Sequence, residues 1–168
     1  MLLALGWGWH RHNFPYGATH KCNKGIYFAL FDYAGVNEGK FPDAGSSAAS
    51  LSLLATDPYT YPIDQLAGKA ISDKDAERCF REKGKLTEEF CSWHYVRGLT
   101  TESDPSLLLF WDKTGLMHNG QRPHSPKYEV CFVSGNFTMI SESGWPDFLS
   151  QQAKLLEEAG LSPDLLKY

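Results

Sequence analysis

Cys22-Asn23-Lys24-Gly25-Ile26-Tyr27-Phe28-Ala29-Leu30-Phe31-Asp32-Tyr33-Ala34-Gly35-Val36 is the stretch on which the reading of the fold turns. Ile26, Ala29, Leu30 and Tyr33 recur at i, i+3, i+4 and i+7, the spacing of one face of an α-helix. Tyr27, Phe28, Phe31 and Ala34 widen that stripe nearly all the way round, and a helix apolar on most faces is covered on most faces. Gly39 and Pro42 stop it. Each of its large apolar side chains contributes on the order of 1.5–3 kcal/mol when buried, before entropy is subtracted.

Downstream, Ser46–Thr56 reads as a short helix capped by serine. Asp57–Pro62 reads as a turn-rich connector. Ser72–Lys83 is predicted helical, with Ser72 and Asp75 at its start and Gly84 at its stop. Its face of Asp73, Lys74, Glu77, Arg78, Arg81 and Glu82 reads as solvated. Then the period changes. Ser92–Arg97, Leu107–Trp111, Tyr128–Ser134 and Asn136–Ser141 are short, β-branched or aromatic, and bounded by turn residues. The last two form a hairpin about Ser134-Gly135-Asn136. Alternation puts Tyr128, Val130 and Phe132 on one face of the first arm, and Glu129, Cys131 and Val133 on the other. Pro146–Ala159 is an amphipathic helix with Pro146 in its first turn and Gly160 after its end. Helices first, then strands, then a closing helix: the class is α+β, a spine helix on a small antiparallel sheet.

The chain has 168 residues, 42% hydrophobic and 21% charged, which suits one ordered domain over residues 1–168 and excludes disorder. Its net charge of −4 argues against a nucleic-acid partner. No stretch approaches the ~20 apolar residues that span a bilayer. Residues 1–20 read either as irregular chain or as the exit end of a longer apolar helix, since Trp7 and Trp9 followed by His10, Arg11 and His12 suit a membrane–water interface. Cys22, Cys79, Cys91 and Cys131 show no zinc-ligand spacing. Cys79 and Cys91 would close a short loop as a disulfide; the alternative is four buried thiols.

Two blocks carry a resemblance. Cys22–Tyr33, followed by Gly39-Lys40-Phe41-Pro42, resembles the segment after the membrane helix in prepilin-like proteins, the type II secretion pseudopilins. Leu107–Lys113, then His118, then Val130–Phe137, is similar to that family's closing strands and hairpin. Together they span roughly residues 22–142. The family's Phe-Thr-Leu-Ile-Glu leader is absent, and Ser134-Gly135 stands where its hairpin carries Asp-Gly. The resemblance implies a non-catalytic globular head with no cofactor. It would lie in the periplasm or at the cell surface, anchored to the inner membrane through a preceding helix, and work by contact with other pilin or secretion-system subunits. Ile26, Tyr27, Leu30, Phe31 and Tyr33 would form its spine and interaction face. Pseudopilins often hold calcium, which points to the oxygens of residues 100–105, Asp104 among them, with Asp112 nearby.

Two other readings stay open. His118, His124 and Asp112 supply imidazole and carboxylate ligands for a metal-dependent hydrolase, although no HExxH-type spacing supports them. Trp93, Trp111 and Trp145 either form a binding surface or pack in the core, where tryptophan is usually found. For nucleophilic catalysis there is no Gly-x-Ser-x-Gly elbow. Cys22 with His94 can be drawn as a pair, as any cysteine and histidine can.

Overall fold

The computed structural model describes residues 2–17 and 20–168. Six α-helices and four strands follow in order: α1 (Leu2–Asn13), α2 (Asn23–Val36), α3 (Ser47–Ser52), α4 (Ile63–Ala67), α5 (Asp73–Lys83), β1 (Trp93–Tyr95), β2 (Leu108–Asp112), β3 (Lys127–Phe132), β4 (Phe137–Ser141) and α6 (Trp145–Glu158). The fold class is α+β. The strands form one antiparallel meander in the order β1-β2-β3-β4, with Trp93 opposite Asp112, Trp111 opposite Val130 and Cys131 opposite Phe137.

Local chemistry explains most boundaries. The Ser46 hydroxyl accepts from the Ala49 N–H at 3.2 Å and starts α3; Ser72 does the same for α5 through the Asp75 N–H. Gly84 closes α5 at φ 69°, a left-handed geometry that glycine adopts without penalty. The β3–β4 turn needs Gly135 for φ and for space, because a Cβ there would stand 2.4 Å from the Tyr27 hydroxyl. The hairpin is thereby seated on α2.

Ile26, Leu30 and Ala34 of α2 are fully buried with Leu51, Leu54, Trp93, Phe110 and Trp111 in one contiguous core. Every residue of β2 is buried, since elements cover it on both faces.

Several expectations need correction. Within residues 1–20, Leu2–Asn13 are helical rather than irregular, residues 14–17 are turn and coil, and no helix among the described residues is long and apolar enough to cross a membrane. The short helix after Ser46 yields at Leu53 to a 3-10 turn, Leu53–Ala55. α4 and a 3-10 turn at Pro163–Leu166 were not anticipated, because five and four residues are too few to display a periodicity. β1 is three residues long where six were expected. Trp93 and Trp111 are wholly buried and Trp145 nearly so, which removes them as a binding surface. Of the residues expected in the spine helix, Ile26 and Leu30 are buried, while Tyr27, Phe31 and Tyr33 are half-buried, Tyr27 on Phe31 and Phe137, Phe31 on Phe41 and Tyr33 on Tyr59. Phe28 and Val36 are the large apolar side chains of α2 left exposed, at 64% and 73%. Cys79 and Cys91 are separate free thiols, Cys79 against the Lys85 carbonyl and Cys91 against those of Leu66 and Trp93.

Candidate functional site

Cys22 stands at the N-cap of α2 in extended backbone, φ −104° and ψ 111°, and its side chain makes no cap. The half-buried thiol is therefore presented where unsatisfied helix N–H groups and the positive end of the helix dipole favour negative charge. The chain leading into it is tied down on both sides. The Cys22 N–H donates to Gln65 Oε1 at 3.2 Å, and Gln65 Nε2 donates to the His20 carbonyl. The neighbouring Lys21 is buried, and its ammonium donates to the Asp64 carbonyl at 2.9 Å, to the Asp64 carboxylate at 3.1 Å and to Asp73. Burial raises the Asp64 carboxyl, but Lys21, helped by the Gln65 amide, outweighs it and holds the group below its ordinary value. Asp73, read from sequence as part of a solvated face, thus serves a buried lysine.

His118 meets this segment from the β2–β3 connection. The Lys21 N–H donates to the His118 carbonyl at 2.8 Å. In return the His118 ring lies with Nδ1 3.4 Å from the Lys21 carbonyl oxygen, over the peptide that joins Lys21 to Cys22. Its other nitrogen, Nε2, is 3.1 Å from Glu129 Oε1. The His20 ring stacks on it, centroids 5.8 Å apart.

Behind the imidazole lies a buried ionic cluster. Glu129 Oε2 accepts from Lys69 Nζ at 2.8 Å, and the same ammonium donates to the Leu116 carbonyl at 3.0 Å. It also pairs with Asp112 Oδ2 at 3.4 Å. Two of its protons are thus donated, and Asp112 Oδ2 faces it as an ion-pair partner without a hydrogen bond of its own. Asp112 Oδ1 accepts from the N–H and hydroxyl of Thr114. Burial pushes the Asp112 carboxyl above its ordinary range, with Lys69 and Thr114 pulling only part of the way back. Lys69 reaches this position because Gly68 precedes it: a Cβ at Gly68 would lie 2.3 Å from Ser92 Oγ.

Tyr61 closes the site from the α3–α4 connection. Its hydroxyl occupies the space a Cβ of Gly25 would take, 2.2 Å from that point, on the first turn above Cys22. Burial, then the charges of Cys22 and Asp64, push the phenol up to about 12, so it stays a neutral donor near neutral pH.

The residues chosen from sequence are distributed differently from what was expected. His118 is in the site and Asp112 in its ionic support, but an ammonium, not a metal, joins the two carboxylates. His124 lies in an exposed loop beside Arg122. Asp104 is exposed, with Oδ1 engaged by the N–H and hydroxyl of Ser106. Among the described residues no group of three or more His, Cys, Asp or Glu side chains is placed to hold a metal ion. His94 does not approach Cys22's role: it is buried on Trp111, with Nε2 2.7 Å from the Leu165 carbonyl. The imidazole that contacts the segment leading into Cys22 is His118, through the Lys21 carbonyl. Sequence reasoning missed Glu129, Lys69, Lys21, Tyr61 and Gln65. The one local signal was a cysteine immediately before a strong helix.

A thiol at a helix start, an imidazole with one nitrogen held by a carboxylate and the other against the Lys21 carbonyl, and a neutral phenol nearby are residue types that nucleophilic acyl transfer uses, although among the described residues no hydrogen bond joins the thiol to the imidazole. Comparison with family models, with curated proteins and with solved structures finds no match to this chain.

Proposed function

We propose that the protein is a thiol-dependent acyl-transfer enzyme that hydrolyses an amide or ester bond, with Cys22 as nucleophile and His118 as general base and acid. The observation that carries this reading is the His118 ring, bound through Nε2 to Glu129 and set with Nδ1 over the Lys21–Cys22 peptide. Glu129 accepts the Nε2 proton, and Nδ1, which in the resting structure faces the Lys21 carbonyl oxygen, takes the thiol proton once the ring turns from that oxygen toward sulfur. In the reaction His118 Nδ1 accepts the Cys22 thiol proton as sulfur attacks the acyl carbon. The tetrahedral intermediate expels the amine or alcohol, which leaves with that proton. Water, deprotonated by the same nitrogen, then attacks the thioester, and the acid departs as the proton returns to sulfur. Tyr61 supplies a donor beside the thiol where the oxyanion develops.

The test is turnover of p-nitrophenyl acetate together with mass-spectrometric mapping of iodoacetamide labelling. The expected result is labelling at Cys22 ahead of the three buried cysteines, a burst of nitrophenolate equal to the enzyme present, and loss of both burst and turnover in Cys22→Ala. His118→Ala should reduce turnover about 10²–10⁴-fold. Turnover unchanged in Cys22→Ala overturns the proposal.

A second reading has its own support. The resemblance to pseudopilin heads, a helix lying on an antiparallel sheet, and the exposed Phe28 and Val36 on that helix favour a non-catalytic subunit working through contacts with other subunits. A thiol inert in every acyl-transfer assay would leave that reading standing.

A further inference from the structure

Charge is not spread evenly along this chain. Residues 1–31 and 113–128 hold six of its 16 Lys and Arg side chains and none of its 20 Asp and Glu, so the rest of the molecule is strongly acidic. The fold brings these two acid-free segments together. The Arg122 N–H donates to the Asn13 carbonyl at 2.7 Å, and the Lys21 N–H to that of His118. Between them lies a cavity of about 520 Å³, bounded by Trp9 and His12 of α1 and by Met117, Arg122 and His124 of the β2–β3 connection. Met117, which lines it, precedes His118 in the chain, although the His118 ring is not part of the cavity wall. Lys21 and Lys113 have carboxylate partners. Arg11, Lys24, Arg122 and Lys127 have none among the described residues.

We infer that this groove binds the substrate, and that the substrate is an acidic peptide. The identification of the bound group as a peptide rests on the acyl-transfer reading, since a thiol nucleophile needs an acyl carbon; its negative charge is argued from the groove alone. Arg122, with His12 and His124, lines this groove, no carboxylate is among its lining residues, and a cation so placed concentrates anions there. The exposed rings of Trp9 and Tyr16, with Met117, add apolar surface for the peptide's uncharged parts.

The experiment measures fluorescence anisotropy with the full chain carrying Cys22→Ala, so that binding is read without turnover. The probes are fluorescein-labelled hexapeptides of alternating Gly and Glu, Gly and Ser, or Gly and Lys, and labelled hexathymidylate. The Glu peptide should bind at least about tenfold tighter than the Lys peptide at low salt, and weaken as added salt shortens the Debye length below about 10 Å. Arg122→Glu, whose side chain bears no structural bond, should weaken it about fivefold. Lys154→Glu, the same charge change on the exposed face of α6, should not. Equal binding of the three peptides, or indifference to Arg122→Glu, overturns the inference; so does tighter binding of hexathymidylate, which would make this a nucleic-acid face. Loss of peptide binding with an active Cys22 thiol removes only the substrate class. Peptide binding with an inert thiol removes only the acyl-transfer reading.

Discussion

Replacing Lys69 by methionine should unfold the protein more easily than almost any other single change, and should steepen the gain in stability that Asp112 gives as pH falls. Methionine has nearly the reach and volume of the lysine stem, so no cavity confuses the result. What disappears is the ammonium bonded to Glu129 at 2.8 Å and paired with Asp112 at 3.4 Å, leaving two carboxylates in the interior with side-chain exposures of 10% and 0%. Removing one partner of a buried ion pair costs about 3–5 kcal/mol, and each kcal/mol shifts Tm by about 2–4 °C in a domain of this size. The expected loss is about 6–20 °C. A carboxyl whose folded pKa exceeds its unfolded value of 3.8 binds a proton more tightly when folded. Stability therefore rises as pH falls through the window between the folded value and 3.8. Asp112 already lies on that side because of burial, and without Lys69 the window widens. Lys69→Met should thus regain much of its lost stability between pH 8 and about pH 5. Adding Asp112→Asn and Glu129→Gln should restore it at pH 8 as well. Differential scanning fluorimetry across pH, with urea unfolding at the end points, checks this. A Tm within about 2 °C of wild type at pH 8, or a deficit that stays constant with pH, would refute the buried cluster.

Two further outcomes follow from packing and burial elsewhere. Gly25→Ala would ordinarily stabilise a helix by about 0.8–1.0 kcal/mol; here the methyl meets the Tyr61 hydroxyl, so a loss of about 1–3 kcal/mol is expected. Gly25→Ala combined with Tyr61→Phe should recover most of that loss in urea unfolding, whereas stabilisation by Gly25→Ala alone would place the phenol elsewhere. Burial, with the charges of Lys113 and Arg97, outweighs the Leu165 carbonyl and holds His94 below its ordinary 6.5. Its contribution to stability is complete above about pH 6.5 and is lost as pH falls below that toward the folded value. His94→Gln should flatten this part of the pH profile, and a wild-type-minus-variant difference that does not change between pH 7.5 and about pH 5 would count against a buried neutral imidazole.

The antiparallel order of the strands, the hairpin at Ser134-Gly135-Asn136, and the starts of α3 and α5 were legible in the sequence because their causes are local. A cap, a turn glycine or an i, i+3, i+4 stripe acts within four residues. Alternation even placed Glu129 on the face of β3 shared with Cys131 and Val133, all three of which are buried. Nothing in that alternation says why a carboxylate tolerates such a place. Lys69 explains it from 60 positions away, just as His118 reaches the Lys21–Cys22 peptide from 97. Read singly, Lys21 and Lys69 look like surface lysines and His118 like a loop histidine.

The sequence by itself determined the longer helices α2, α5 and α6, the four strand positions and which side chains are apolar enough to build a core, since these depend on neighbours along the chain, whereas the five residues of α4 are too few to show a period. Only the tertiary structure decided that two lysines are buried, that their acids come from α4, α5, β2 and β3, and that His118 meets the Lys21 carbonyl just before Cys22. A buried charge is stable only where its partners converge, and that convergence is set by strand register and helix packing, which no local pattern encodes.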